Sequence, residues 1–109
     1  MSAAPFVTQL RARRDTIRLG TPDEKTITIR VEMPEVWDTV RIAVPGSAKV
    51  DVVKVRALEA LFPQAQYHED FVVKLRGWEV LNEHETLADA GVTDGAILLL
   101  THRLRRALR

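Results

Sequence analysis

From Thr26 onward the apolar residues of this chain fall into regular periods. In "TITIRVEM" Ile27, Ile29, Val31 and Met33 alternate with Thr28, Arg30 and Glu32, the period of a strand with one buried face. Val40, Ile42 and Val44 alternate in the same way after "PEVWD", whose Pro34 and Asp38 suit a short loop, so the two runs form a β-hairpin. Pro45 and Gly46 end the second strand, and over "AKVDVVKVRALEALF", Ala48 to Phe62, the period lengthens to that of a helix. Val50, Val53, Ala57 and Leu61 share one face, widened by Leu58 and Phe62. Asp51 in the first turn complements the helix dipole, and Pro63 lies beyond the end. The run of valines lowers intrinsic helix propensity, so this helix depends on packing.

The second half repeats strand signals. "FVVKL" reads as a third strand with Phe71, Val73 and Leu75 inward and Lys74 outward. Gly77 marks a turn, Val80 and Leu81 a short strand, and Leu87 to Ala90 a single helical turn. Thr93, Asp94 and Gly95 make a turn whose glycine admits a positive φ. The closing "AILLLT" is apolar on both faces, the mark of a central strand. Hairpin, crossing helix and further strands together predict an α+β fold, a mixed sheet of four to five strands with one helix across one face.

Residues 1–25 show no sustained period, and "GTPDEK" is a polar turn cluster. They read as a flexible basic leader, at most transiently helical around Phe6 to Arg14, whose "RARR" is a solvated charge run or a binding motif. The expected organisation is thus a leader over 1–25, one domain over 26–102 and a basic tail over 103–109. Composition agrees with one small folded domain, because 46% of the 109 residues are hydrophobic, too many for wholesale disorder. The net charge of +1 hides an uneven distribution. Residues 26–101 carry seven bases and twelve acids, a net of −5, whereas the leader and tail are basic. An acidic body argues against a nucleic-acid-binding core.

Candidate chemistry is sparse. Cysteine is absent, which excludes disulfides, thiolate metal sites and a cysteine nucleophile, and favours a cytoplasmic setting. No apolar run is long enough to span a bilayer, and the arginines of the N-terminus follow its apolar residues, the reverse of a signal peptide. Ser47 has no histidine or acid placed beside it by any motif, the three histidines, His68, His84 and His102, are separated, and the five glycines form no phosphate loop. The chain therefore reads as a non-enzyme with no metal and no cofactor. Trp37 and Trp78 fall in loops, either as interface anchors or packed against the rim of the sheet.

"TLADAGVTDGAILLLTHRLR", Thr86 to Arg105, resembles the last third of ubiquitin without a gap. Leu87, Asp89, Val92, Leu98 and Leu100 fall on its core or turn positions, and Arg103, Leu104 and Arg105 on its Arg-Leu-Arg tail. Over about Ile27 to Arg105 the resemblance implies the ubiquitin-like β-grasp fold. Within that superfamily, "DTVRIAVPGSAKVDVVKVRALEALF" followed by "GVTDGAILLL" resembles the small bacterial YukD/EsaB proteins, which accompany type VII secretion systems and lack a C-terminal diglycine. Conjugated relatives are activated by adenylation of a C-terminal glycine. Here Arg106 and Ala107 occupy the diglycine positions, followed by Leu108 and Arg109. The resemblance implies a partner-binding patch on the open sheet face, where Lys74 and Thr101 replace apolar residues and Ile97 and Leu99 supply new ones. The basic tail reads as a solvated run that keeps a sheet edge soluble, or as contacts to an acidic partner through Arg103, Arg105, Arg106 and Arg109.

The function expected is a protein-interaction module, an adaptor or regulator, in a monomer or weak homodimer whose face is open or covered by the leader or a second copy. The alternatives are a modifier activated by an adenylating enzyme, and a polyanion-binding module using both basic ends.

Overall fold

The computed structural model describes residues 16–21 and 23–103. Six strands form one mixed sheet: β1 (Ile17–Arg18), β2 (Ile27–Met33), β3 (Asp38–Val44), β4 (Phe71–Leu75), β5 (Trp78–Glu79) and β6 (Ile97–His102). Among the described residues one α-helix, α1 (Val50–Leu61), packs across one face. The spatial order is β1-β3-β2-β6-β4-β5. The β2–β3 hairpin is antiparallel from Ile27↔Val44 to Met33↔Asp38. β6 lies parallel to β2 and antiparallel to β4, so it is the central strand that its two apolar faces predict.

The periods locate the core correctly. Ile29, Val31, Met33, Val40, Ile42 and Val44 of the hairpin are buried, with Phe71 and Val73 of β4 and Leu98 and Leu100 of β6. Against them α1 buries Val50, Val53, Ala57, Leu58 and Leu61. Burying a side chain of this size contributes roughly 1.5–3 kcal/mol, which offsets the weak helix propensity of the valines.

The helix starts without a side-chain cap at Lys49. Its first amides donate instead to the loop after β5, Val50 N–H to Glu85 O (3.0 Å) and Asp51 N–H to Glu83 O (2.9 Å). That loop is held in return by Leu87 N–H donating to Ala48 O (2.8 Å) and Ala88 N–H to Gly46 O (3.0 Å). Orphan amides of a helix need such partners. Lys54 crosses the same junction. It is 2% exposed, and its Nζ donates to Phe71 O (3.0 Å) and pairs with Glu83 Oε1 (2.6 Å). One buried cation thus ties the helix, the start of β4 and the capping loop together.

Two features depart from the sequence expectations. The sheet has a sixth strand: Ile17–Arg18, inside the segment read as a leader, pairs in parallel with β3, and Leu19 N–H donates to Ala43 O (2.8 Å). Ile17 and Leu19 pack partly against the core, which holds this short edge in place. The short strand expected at Val80–Leu81 is Trp78–Glu79 instead. Arg76 and Gly77 both have positive φ, 54° and 85°, the requirement of a tight two-residue hairpin, so pairing resumes at once with Leu75↔Trp78. Val80 adds one bond by donating to Val73 O (2.8 Å). Residues 87–91 form turns, and Ala90 N–H donates to Thr86 O (3.0 Å), the bond of the single helical turn expected there.

Candidate functional site

Because α1 covers one face of the sheet, alternate strand residues point to the other. Strand register arranges them in rows. Arg41, Arg30 and Ile97 lie side by side across β3, β2 and β6. Next to them Thr39, Glu32, Leu99, Lys74 and Glu79 run across β3, β2, β6, β4 and β5. Thr101 and Val72 follow. All four residues expected to bind a partner, Lys74, Ile97, Leu99 and Thr101, therefore share one face. Arg30, Arg41 and Ile97 are exposed, Ile97 by 49%, while Lys74, Leu99 and Thr101 are half-buried. Val72, also on this face, is buried.

Thr101 is committed to the fold. Its Oγ1 donates to Glu35 Oε2 (2.6 Å), which also accepts from His102 N–H (2.8 Å). Glu35 belongs to the 3₁₀ turn Pro34–Val36 at the tip of the β2–β3 hairpin, so its carboxylate clasps that tip to the end of β6. Burial pushes the Glu35 carboxyl up. The bonds from Thr101, His102 and its own amide, with the neighbouring His102, outweigh this and hold it below its ordinary value of 4.5. Trp37 follows the turn with φ 55° and ψ 43°, and is 94% exposed. A bulky side chain rarely occupies this left-handed region.

A second apolar feature lies at the β5 edge. Trp78 and Leu81 are 79% and 84% exposed beside an open groove of about 460 Å³ that Glu79, Glu85 and Asp89 also line. Neither tryptophan packs against the sheet rim, so that expectation is corrected: Trp37 follows the 3₁₀ turn in the left-handed region, and Trp78, read as a loop residue, opens the edge strand β5, both largely exposed.

Arg103, expected to reach a partner, is engaged by its own domain. Its N–H donates to Asp70 O (2.6 Å), its Nε to Glu69 O (3.2 Å), and its guanidinium lies 3.6 Å from Glu79 Oε2. It ties the end of β6 to the turn His68–Asp70 before β4 and to β5. Arg105, Arg106 and Arg109 lie outside the described residues, as do "RARR" and the stretch Phe6 to Arg14.

The histidines stand apart. His68 is 3.6 Å from Glu69, His84 is 3.1 Å from Asp51 at the helix start, and His102 meets the ring of Phe71 edge-on at 4.8 Å. Among the described residues no three His, Cys, Asp or Glu side chains form a group able to hold a metal, and no helix is long and apolar enough to cross a membrane.

No protein-family model and no curated protein matches the chain. Solved structures do. A ubiquitin-like domain from Arabidopsis thaliana superposes with a TM-score of 0.62 at 14% identity, over 83% of this chain and 92% of that one. The ubiquitin of Caldiarchaeum subterraneum gives 0.61 at 19% identity, over 75% and 99%. A designed protein based on ubiquitin gives 0.60 at 20% identity, over 82% and 100%. The fold is the ubiquitin-like β-grasp. At these identities the likeness carries architecture alone.

Proposed function

We propose that this protein is a non-enzymatic ubiquitin-like interaction module, an adaptor or regulator, that binds another protein through the sheet face opposite α1. One observation carries the reading: Ile97, half exposed, and Leu99 stand together in the middle of that face, surrounded by Arg30, Arg41 and Lys74. An aliphatic centre with a charged rim is the anatomy of a protein-binding patch. Trp37 supports it from the hairpin tip, because exposed Trp is enriched among residues that dominate binding, and the Glu35 clasp fixes the loop that presents it. The phrase "DTVRIAVPGSAKVDVVKVRALEALF", which resembles YukD/EsaB proteins, supports a narrower role in the cytoplasm of a bacterium, beside a type VII secretion system.

A photo-crosslinking residue placed at position 97, and in a control at the exposed Val52 of α1, tests the reading in the native host. Discrete heavier products from position 97 alone are expected. Products from Val52 alone, or from neither position, sink it. For the narrower role, deletion of the gene should reduce secretion of the type VII substrates; unchanged export counts against it.

A further inference from the structure

We infer that the segment recognised by the open face is acidic, with an aliphatic residue beside its carboxylates; this rests on the open-face reading above. The residues 26–101 carry a net charge of −5, yet strand register gathers bases on this face. Arg30 and Arg41 are directly opposite in the antiparallel β2–β3 ladder, Lys74 lies two strands away opposite Leu99, and Arg18 of β1 sits opposite Ala43. Glu32 of β2 and Glu79 of β5, opposite Lys74, are the acids in the same row. Like charges directly opposite on a sheet are destabilising, so the Arg30–Arg41 pair opposes folding.

Internal pairing does not relieve it. Lys54, Arg56 and Arg103 each have a carboxylate partner, Glu83, Glu59 and Glu79. Among the described residues the guanidiniums of Arg30 and Arg41 have no ion-pair or hydrogen-bond partner. They flank a shallow concavity of about 170 Å³ whose other walls include Thr28, Gly95 and Ile97. Two unpaired guanidiniums suit carboxylates, which they bind through paired N–H donors, and Ile97 with Leu99 suits one aliphatic side chain between them. A protein segment fits better than a nucleic acid. The centre of the face is aliphatic and offers no aromatic platform for bases, and the acidic remainder of the domain repels a polyanion.

The test uses the full chain and a random-peptide display library, counter-selected on the folded R30Q/R41Q double variant. Enriched peptides should be rich in Asp and Glu around an Ile, Leu or Val. Their affinity should fall with added salt, weaken about tenfold or more in R30Q/R41Q, and largely survive in R30K/R41K. Amide shifts on binding should centre on Arg30, Arg41, Ile97 and Leu99. No enrichment, enrichment without acids, or equal binding to R30Q/R41Q overturns the inference. A single-stranded oligonucleotide that binds more tightly than the selected peptides overturns it in favour of nucleic acid. Cross-links from position 97 to non-acidic segments would leave the open-face reading intact and remove only this one. Acidic peptides bound at the face without any cross-linked host partner would do the opposite.

Discussion

Glu35 and Lys54 show how much of this small domain hangs on single polar side chains. Glu35 joins the hairpin tip to the end of β6 through two hydrogen bonds, and its carboxyl is held below 4.5. A carboxyl depressed in the folded state stabilises above its unfolded value and loses that contribution as pH falls through its folded value. Glu35→Gln should therefore cost roughly 0.5–1 kcal/mol at neutral pH, solvent screening included, and the difference from the parent should shrink in melts taken below pH 4.5. A difference that stays constant down to acid pH would show that the charge is irrelevant to the clasp. Lys54 acts in the core, where Phe71 O and Glu83 both rely on its ammonium. Lys54→Met keeps the volume and removes both bonds, and should lower the urea-unfolding free energy by about 2 kcal/mol. Its charge hid its role in the sequence, although Lys54 lies four residues after Val50, within the stripe of Val50, Val53, Ala57 and Leu61. The partners were not legible either, because Glu83 and Phe71 meet it only through tertiary folding.

At the scale of elements, legibility followed length. The seven-residue strands β2 and β3 and the twelve-residue helix each offer several turns of their period, and all appear where the pattern puts them. The two-residue β1 offers none, and its only signal is Arg18 between Ile17 and Leu19. β5 was displaced in the reading because Val80 and Leu81 are apolar, whereas the tight turn at Arg76 and Gly77 decides where pairing starts. Gly77 has φ 85° with open space where a Cβ would stand, so Gly77→Ala should cost about 1 kcal/mol from backbone conformation alone. Equal stability of the two chains would contradict that account. β1 has a different role, since it covers the outer edge of β3. A chain starting at Thr26 should unfold at lower urea and self-associate through the bared edge, read by light scattering at increasing concentration. A monomer of parental stability would mean that the β1 pairing is dispensable.

For the whole molecule, the decisive feature is where the fold sends its charges. The counts in the sequence suffice to make the body acidic, but their placement depends on register. Asp51 and Glu59 sit on α1 and Glu83, Glu85 and Asp89 in the loop docked to its start, while register sets Arg30 against Arg41 on the opposite face. A sequence read by period assigns Arg30 and Arg41 to the solvent side of their strands, yet cannot see that they face each other. Their repulsion gives stability and recognition opposite signs at one position. Arg30→Glu converts the like pair into an opposite-charge pair, worth roughly 0.2–1 kcal/mol across strands, so the variant should be slightly more stable than the parent. It should also lose the acidic peptides, because a carboxylate then stands where theirs must bind. Urea denaturation and peptide titration on the same preparation separate the two effects. Stability and affinity falling together would indicate a damaged fold, and unchanged affinity would place recognition elsewhere. A rise in stability with loss of binding is the outcome that assigns the paired arginines to a partner rather than to the sheet.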